Sequence, residues 1–171
     1  MTKRMAFDVE VGVTAAVMYR DFTTIKYWED LVVRYREEAT QTEIAHFSSD
    51  DTGTRVSFAH ILTAADLPAI ARPVLPGTFV VTREQHFDPF DEEGGLATGR
   101  YRATVPHVPV DIQGDYTLMD TATGSRMRLE TRCTARVPLI GGQIESLLIG
   151  GLKGLFANEG EFTAHWIAAN H

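Results

Sequence analysis

The chain has a single cysteine, Cys133, three lysines, and no long apolar run free of charge. One cysteine excludes an internal disulfide and fits a reducing compartment, so a cytoplasmic location is expected. The shortage of lysine is not made good by arginine, whose 13 copies are scattered along the sequence. With a formal net charge of −7 and a pI near 5.3, broad attraction to nucleic acid or an anionic membrane is excluded. The most hydrophobic stretch, LIGGQIESLLIGGLKGLFA from Leu139 to Ala157, contains Glu145 and Lys153. Each charge at bilayer depth costs roughly 2.5–3.5 kcal/mol, so no stable membrane insertion is expected. The start, MTKRMAFDVEV, is basic but lacks the apolar run of a signal peptide behind it.

Motifs of chemistry are missing too. There is no G-x-S-x-G, no G-x-G-x-x-G and no P-loop. The histidines at 46, 60, 86, 107, 165 and 171 share no ligand-type spacing with one another or with Cys133. The sequence therefore assigns no catalytic residue, no metal and no cofactor.

What is there is the makeup of one globular domain over residues 1–171: 44% hydrophobic and 23% charged residues. Met5, Phe7, Val9 and Val11 alternate with polar residues, which predicts a strand with one wet face. Thr14 is placed to cap a short helix, and Tyr27, Trp28, Leu31 and Tyr35 recur at helical spacing after Thr23 and Thr24. From Thr40 to Val137 the text turns to strands and turns, with strands over 40–47, 55–63, 78–87, 96–105, 109–120 and 125–137. Pro68, Pro73 and Pro76 make Ala64 to Gly77 a loop. Its Leu67, Ile70, Val74 and Leu75 suit either a lid or residues tucked under the domain. A long helix closes the pattern over 139–169. Ile140, Ile144, Leu147, Leu148, Leu152, Leu155, Phe156, Phe162 and Trp166 fall on one half of its wheel.

This order of elements, ending in GQIESLLIGGLKGLFANEGEFTAHWIA, resembles the helix-grip superfamily of START-type lipid-transfer proteins, birch-pollen allergens and polyketide cyclases. It is most similar to an uncharacterised bacterial branch. The glycine-rich final helix is the departure from the pattern. The resemblance implies an α+β fold in which a curved seven-stranded antiparallel sheet wraps around a long C-terminal helix, with two short helices after the first strand. It also implies a cavity between sheet and helix that holds a lipid, sterol or polyketide-like molecule.

On that reading the inward faces supply the ligand-binding candidates. They are Trp28, Phe58, His60, Phe79, Val81, Arg83, Tyr101, Ile112, Tyr116, Met127, Leu129, Leu148, Leu152 and Phe156. Arg83 sits among apolar neighbours and suits the carboxylate or phosphate of an amphipathic ligand. It equally suits an internal acid across the sheet, and a one-residue slip would turn Glu84 and His86 inward instead. His60 suits a proton donor or a hydrogen-bonded core residue. Tyr101 and Tyr116 suit hydroxyls offered to a ligand or plain packing. The leading expectation is non-covalent binding or transport of a hydrophobic small molecule. The alternatives are a cyclase- or dehydratase-type enzyme in the same cavity, or an interaction module with a filled core. Gly142, Ser146, Gly150 and Gly154 form a row of small residues opposite the apolar stripe, compatible with a homodimer or with a helix bent to follow the sheet.

Overall fold

Period-two alternation resolves into seven strands: β1 (Thr2–Val11), β2 (Gln41–Asp50), β3 (Gly53–Leu62), β4 (Phe79–Phe87), β5 (Leu96–Thr104), β6 (Val110–Thr121) and β7 (Gly124–Ala135). The helices are α1 (Ala15–Phe22), α2 (Ile25–Glu37) and α3 (Gly141–Asn170). The computed structural model describes residues 2–38, 40–67, 69–70, 72–73 and 77–171. The strands form one curved antiparallel sheet in the order β1-β7-β6-β5-β4-β3-β2. From β2 to β7 each strand lies beside the next in sequence. β1 instead joins β7, with Thr2 opposite Thr134 and Val11 opposite Ser125. The outer strand β2 carries a register shift between Ile44 and His46.

Local chemistry sets the element ends. Thr14 accepts a hydrogen bond from the Val17 amide at 3.3 Å, and Asp120 Oδ1 accepts one from the Ala15 amide at 2.8 Å. A carboxylate at a helix N-terminus satisfies both the open amides and the helix dipole. The serine-rich segment after Phe47, expected as a turn, is mostly strand, and the turn is Asp51–Thr52. Polar residues suit the wet face of an outer strand as well as a turn, so composition did not separate the two. Gly53 closes that turn at φ 116°, and a Cβ there would run into the carbonyl of Phe87.

The interior has two halves of different composition. Under α1 and α2 it is aromatic: Phe22 lies 5.0 Å from Tyr27, 5.5 Å from Trp28 and 5.1 Å from Phe87 between ring centres. The cluster extends through Tyr116 to Tyr101 and on to Phe156 of α3. Toward the start of α3 the inward residues are aliphatic and shorter. Helix α3 is about 45 Å long by its thirty residues. Its buried face is Ile144, Glu145, Ile149, Phe156, Thr163 and Ile167, turned from the predicted stripe, and Leu147 is 39% exposed. The turn has a cause: one side of the helix packs on β1 and β7, while Leu148, Leu152 and Leu155 face open space. Outside, the scattered arginines are spent in cross-strand pairs such as Arg132–Asp115 at 2.9 Å and Arg128–Asp8 at 3.3 Å. Such exposed pairs contribute at most about 1 kcal/mol each.

Candidate functional site

The aliphatic half of the interior is hollow. A cavity of about 510 Å³ lies between the sheet and the first half of α3, a size that accommodates a small organic ligand. Its sheet wall is His60 and Leu62 of β3, Val81 and Arg83 of β4, Ala103 of β5, and Val110 and Ile112 of β6. Val105 and Val108 of the loop between β5 and β6 complete that wall, and Ile144, Leu148, Leu152 and Leu155 form the helix wall. Valine and alanine on the sheet are too short to meet leucines across the gap, so the space stays unfilled. The exposed lining residues Asp66, Leu147 and Gly151 mark the side that opens to solvent.

Two buried polar side chains stand in the wall of this cavity, with the more open Thr40 and Asp66 also lining it. Arg83 is 2% exposed, and its Nη2 donates to Tyr35 Oη at 3.1 Å and meets Glu159 Oε1 of α3 at 2.6 Å. Its guanidinium carbon sits 5.1 Å from the centre of the Phe58 ring. Its Nε and Nη1 have no hydrogen-bond partner among the described residues. Burial by itself would carry the Glu159 carboxyl up to about 8. Nη2 of Arg83 stands 2.6 Å from Oε1 without the alignment of a hydrogen bond, and a guanidinium at that distance favours the carboxylate.

His60, 7% exposed, has Nδ1 3.0 Å from Thr42 Oγ1. Thr42 Oγ1 also lies 3.3 Å from the Thr40 carbonyl, and it donates there in the tautomer of His60 that carries its proton on Nδ1. In that tautomer Nε2 presents a lone pair, and it has no partner among the described residues. Burial, with the charge of Arg83 second, holds the imidazole down at about 3, so His60 is neutral.

The ion pair also stands at a boundary. Arg83 lines the large cavity, whereas Glu159 lines a separate void of about 30 Å³ in the aromatic half. That void has room for one or two water molecules. Of the sequence candidates, His60, Val81, Arg83, Ile112, Leu148 and Leu152 line the large cavity. Trp28, Tyr116, Met127, Leu129 and Phe156 line the small one instead. Phe58 is fully buried under Arg83, Tyr101 is buried with its hydroxyl 2.7 Å from Thr131 Oγ1, and Phe79 is half-buried at the start of β4. These three line neither cavity, because aromatic bulk fills the space it faces. The tyrosine hydroxyls expected to meet a ligand are taken: Tyr116 donates to Gln85 Oε1 at 2.7 Å. Burial pushes Tyr116 up, and Tyr101 up to about 12.

The expected register at Arg83 holds, with Glu84 exposed on the other face. Its acid partner comes from α3, not from across the sheet. Glu159 was legible as a charge three residues beyond Phe156 and three before Phe162, inside a helical apolar stripe. Glu145 repeats that signal and accepts from the Ala135 amide at 2.9 Å. In the proline loop, Leu67 lines the cavity rim beside Asp66, while Val74 and Leu75 lie outside the described residues. Among the described residues no cluster of three His, Cys, Asp or Glu side chains could hold a metal ion. No helix is long and apolar enough to cross a membrane, again among the described residues.

Residues 6–167 match the model of the DUF2505 family, described as a protein of unknown function. The chain belongs to this family. It is 27% identical over 172 residues to an uncharacterized protein of Mycobacterium tuberculosis, covering 96% of this chain and 98% of that protein. Among solved structures it is similar to protein Ms6760 from Mycobacterium smegmatis, with a TM-score of 0.59 at 10% identity, covering 98% of this chain and 92% of the other. It is also similar to norcoclaurine synthase from Thalictrum flavum in complex with dopamine and hydroxybenzaldehyde. There the TM-score is 0.50 at 15% identity, over 100% of this chain and 89% of the synthase. Likeness at these identities shows the helix-grip fold.

Proposed function

We propose that this DUF2505 protein binds an apolar small molecule non-covalently in the cavity between sheet and α3, as a carrier or sensor. The observation that carries the reading is the cavity itself, about 510 Å³ walled mainly by valine, leucine and isoleucine. Filling it removes apolar surface from water, which is favourable by roughly 25 cal/mol per Å². An interaction module with a filled core has no use for such a space. The likeness in fold to a synthase that holds dopamine and hydroxybenzaldehyde is compatible with small-molecule binding.

Binding without catalysis fits the protonation states. A neutral His60 carries a single ring proton, and a base held down at about 3 is a weak one. Tyr101 and Tyr116 are pushed up and their hydroxyls are engaged. The buried, unpaired Cys133 supports a cytoplasmic location.

Native mass spectrometry of freshly purified protein tests the binding reading. The expected spectrum shows chain plus an apolar molecule that denaturation releases. A bare chain that no alcohol, fatty acid or sterol stabilises in a thermal-shift panel overturns it.

A further inference from the structure

The large cavity offers more than grease, and its polar inventory is uneven. On one side Arg83 has two donor nitrogens, Nε and Nη1, unengaged among the described residues, while on the other Nε2 of His60, an acceptor in the Nδ1–H tautomer, is likewise unengaged. Both side chains are buried and both line the same space. They project from neighbouring strands, His60 opposite Val81 and Arg83 opposite Phe58, two residues apart on one face. An unsatisfied buried donor or acceptor is costly, so an occupant that answers both is favoured over one that answers neither.

Charge narrows the choice. Glu159 already neutralises Arg83 at 2.6 Å, and His60 is uncharged. A carboxylate or phosphate head would bring a second negative charge into a buried site where the only cation among the described lining residues already faces Glu159, which is unfavourable. An uncharged oxygen accepts from Arg83 without that penalty, and a hydroxyl also has a proton to give to His60 Nε2. We propose that the occupant is an apolar molecule with an uncharged, hydroxyl-bearing head, an alcohol or hydroxy ketone, whose oxygen meets Arg83 and whose proton meets His60. The proposal rests on the binding reading above and gives that ligand its chemical class. It replaces the carboxylate or phosphate that Arg83 alone suggests in the sequence, because the sequence does not reveal that Glu159 stands beside it.

The test is equilibrium dialysis at neutral pH with four probes of one chain length: decane, methyl octyl ketone, decanol and decanoic acid. Decanol is expected to bind tightest, about tenfold or more better than decane, with the ketone between them and the acid weaker than decanol. Two variants separate the contributions. Glu159→Gln leaves Arg83 unneutralised and should reverse the order of acid and alcohol. His60→Phe should remove the advantage of the alcohol over the ketone and leave the ketone unchanged. Decanoic acid binding tightest to the unmodified protein overturns the head-group proposal. So does equal binding of all four probes, which leaves the apolar container intact. If none of the four binds, the container reading itself fails.

Discussion

The hydroxyl of Tyr35, on α2, accepts a hydrogen bond from Nη2 of Arg83, on β4, at 3.1 Å, while its ring lies edge-on 5.3 Å from the imidazole of His60. One side chain thus orients both polar groups of the cavity wall. Hydrogen bonds to charged groups contribute roughly 1.5–3 kcal/mol. Tyr35→Phe is expected to lower stability by about that much in urea unfolding while keeping the ring contacts. A loss below about 0.5 kcal/mol would show that the hydroxyl does not hold Arg83.

The depressed His60 sets a pH dependence with a definite sign. Its folded value, about 3, lies below its ordinary 6.5, so the unfolded chain binds the proton first as the solution is acidified. The stabilisation is present above 6.5 and is lost on falling from there toward 3, by up to about 1.4 kcal/mol per pH unit. Subtracting the stability–pH curve of His60→Gln from that of the unmodified protein isolates this component. A flat difference across the window contradicts the assignment.

Filling the cavity should separate binding from folding. Ala103 lines the cavity, and Ala97, on the same strand, is 2% exposed and lines neither cavity. Ala103→Leu puts its added carbons into open space and should weaken uptake of an apolar probe about tenfold with the melting temperature little changed. Ala97→Leu overpacks a closed region and should cost about 1–3 kcal/mol. Equal destabilisation by the two, read by calorimetry, would mean the space near Ala103 is not open.

The glycines of α3 should divide by face. At Gly150 and Gly154 an added Cβ meets nothing within 4 Å, whereas at Gly160 it lies 3.0 Å from Val9 Cγ2. Alanine at Gly150 or Gly154 is expected to stabilise the chain by about 0.5–1 kcal/mol each, the ordinary helical gain. Gly160→Ala should gain less or lose, since β1 must give way. Thermal unfolding of the three variants checks the order. A loss of dimer in the Gly150 and Gly154 variants, seen by light scattering, would instead reveal a second chain on that face.

Much of this architecture was legible because side-chain period is tied to strand geometry. Phe79, Val81, Arg83, Gln85 and Phe87 share a face by alternation alone, which left Arg83 or the pair Glu84 and His86 to point inward, and Arg83 is the one buried. The same alternation could not say which of these residues border empty space. Val81 and Arg83 face the cavity, Phe87 reaches the aromatic cluster, and only the distance to α3 distinguishes them. Nor could a helical wheel place Glu159. A stripe defined by hydrophobicity skips the charges Glu145 and Glu159 inside it, although their position at helical spacing is the clue. The stripe on α3 does face the cavity through Ile144, Leu148, Leu152 and Leu155, but a wheel assumes one apolar partner and so missed the packed side at Glu145, Ile149, Thr163 and Ile167.

The pairing of β1 with β7 has a consequence for how the chain is made. Thr2 finds its neighbour at Thr134, so during synthesis the first strand has no partner until more than a hundred later residues have emerged. At 5–20 residues per second that is a wait on the order of ten seconds, during which the apolar side of β1 is bare. Pairings so distant in sequence also make spontaneous refolding slow, in the millisecond-to-second range typical of sheet-dominated domains. Helix α3 comes later still, and it supplies one whole wall of the container. A nascent chain halted just after Ala135 would carry a complete sheet with its greasy inner surface uncovered, the form most exposed to aggregation and to chaperone capture.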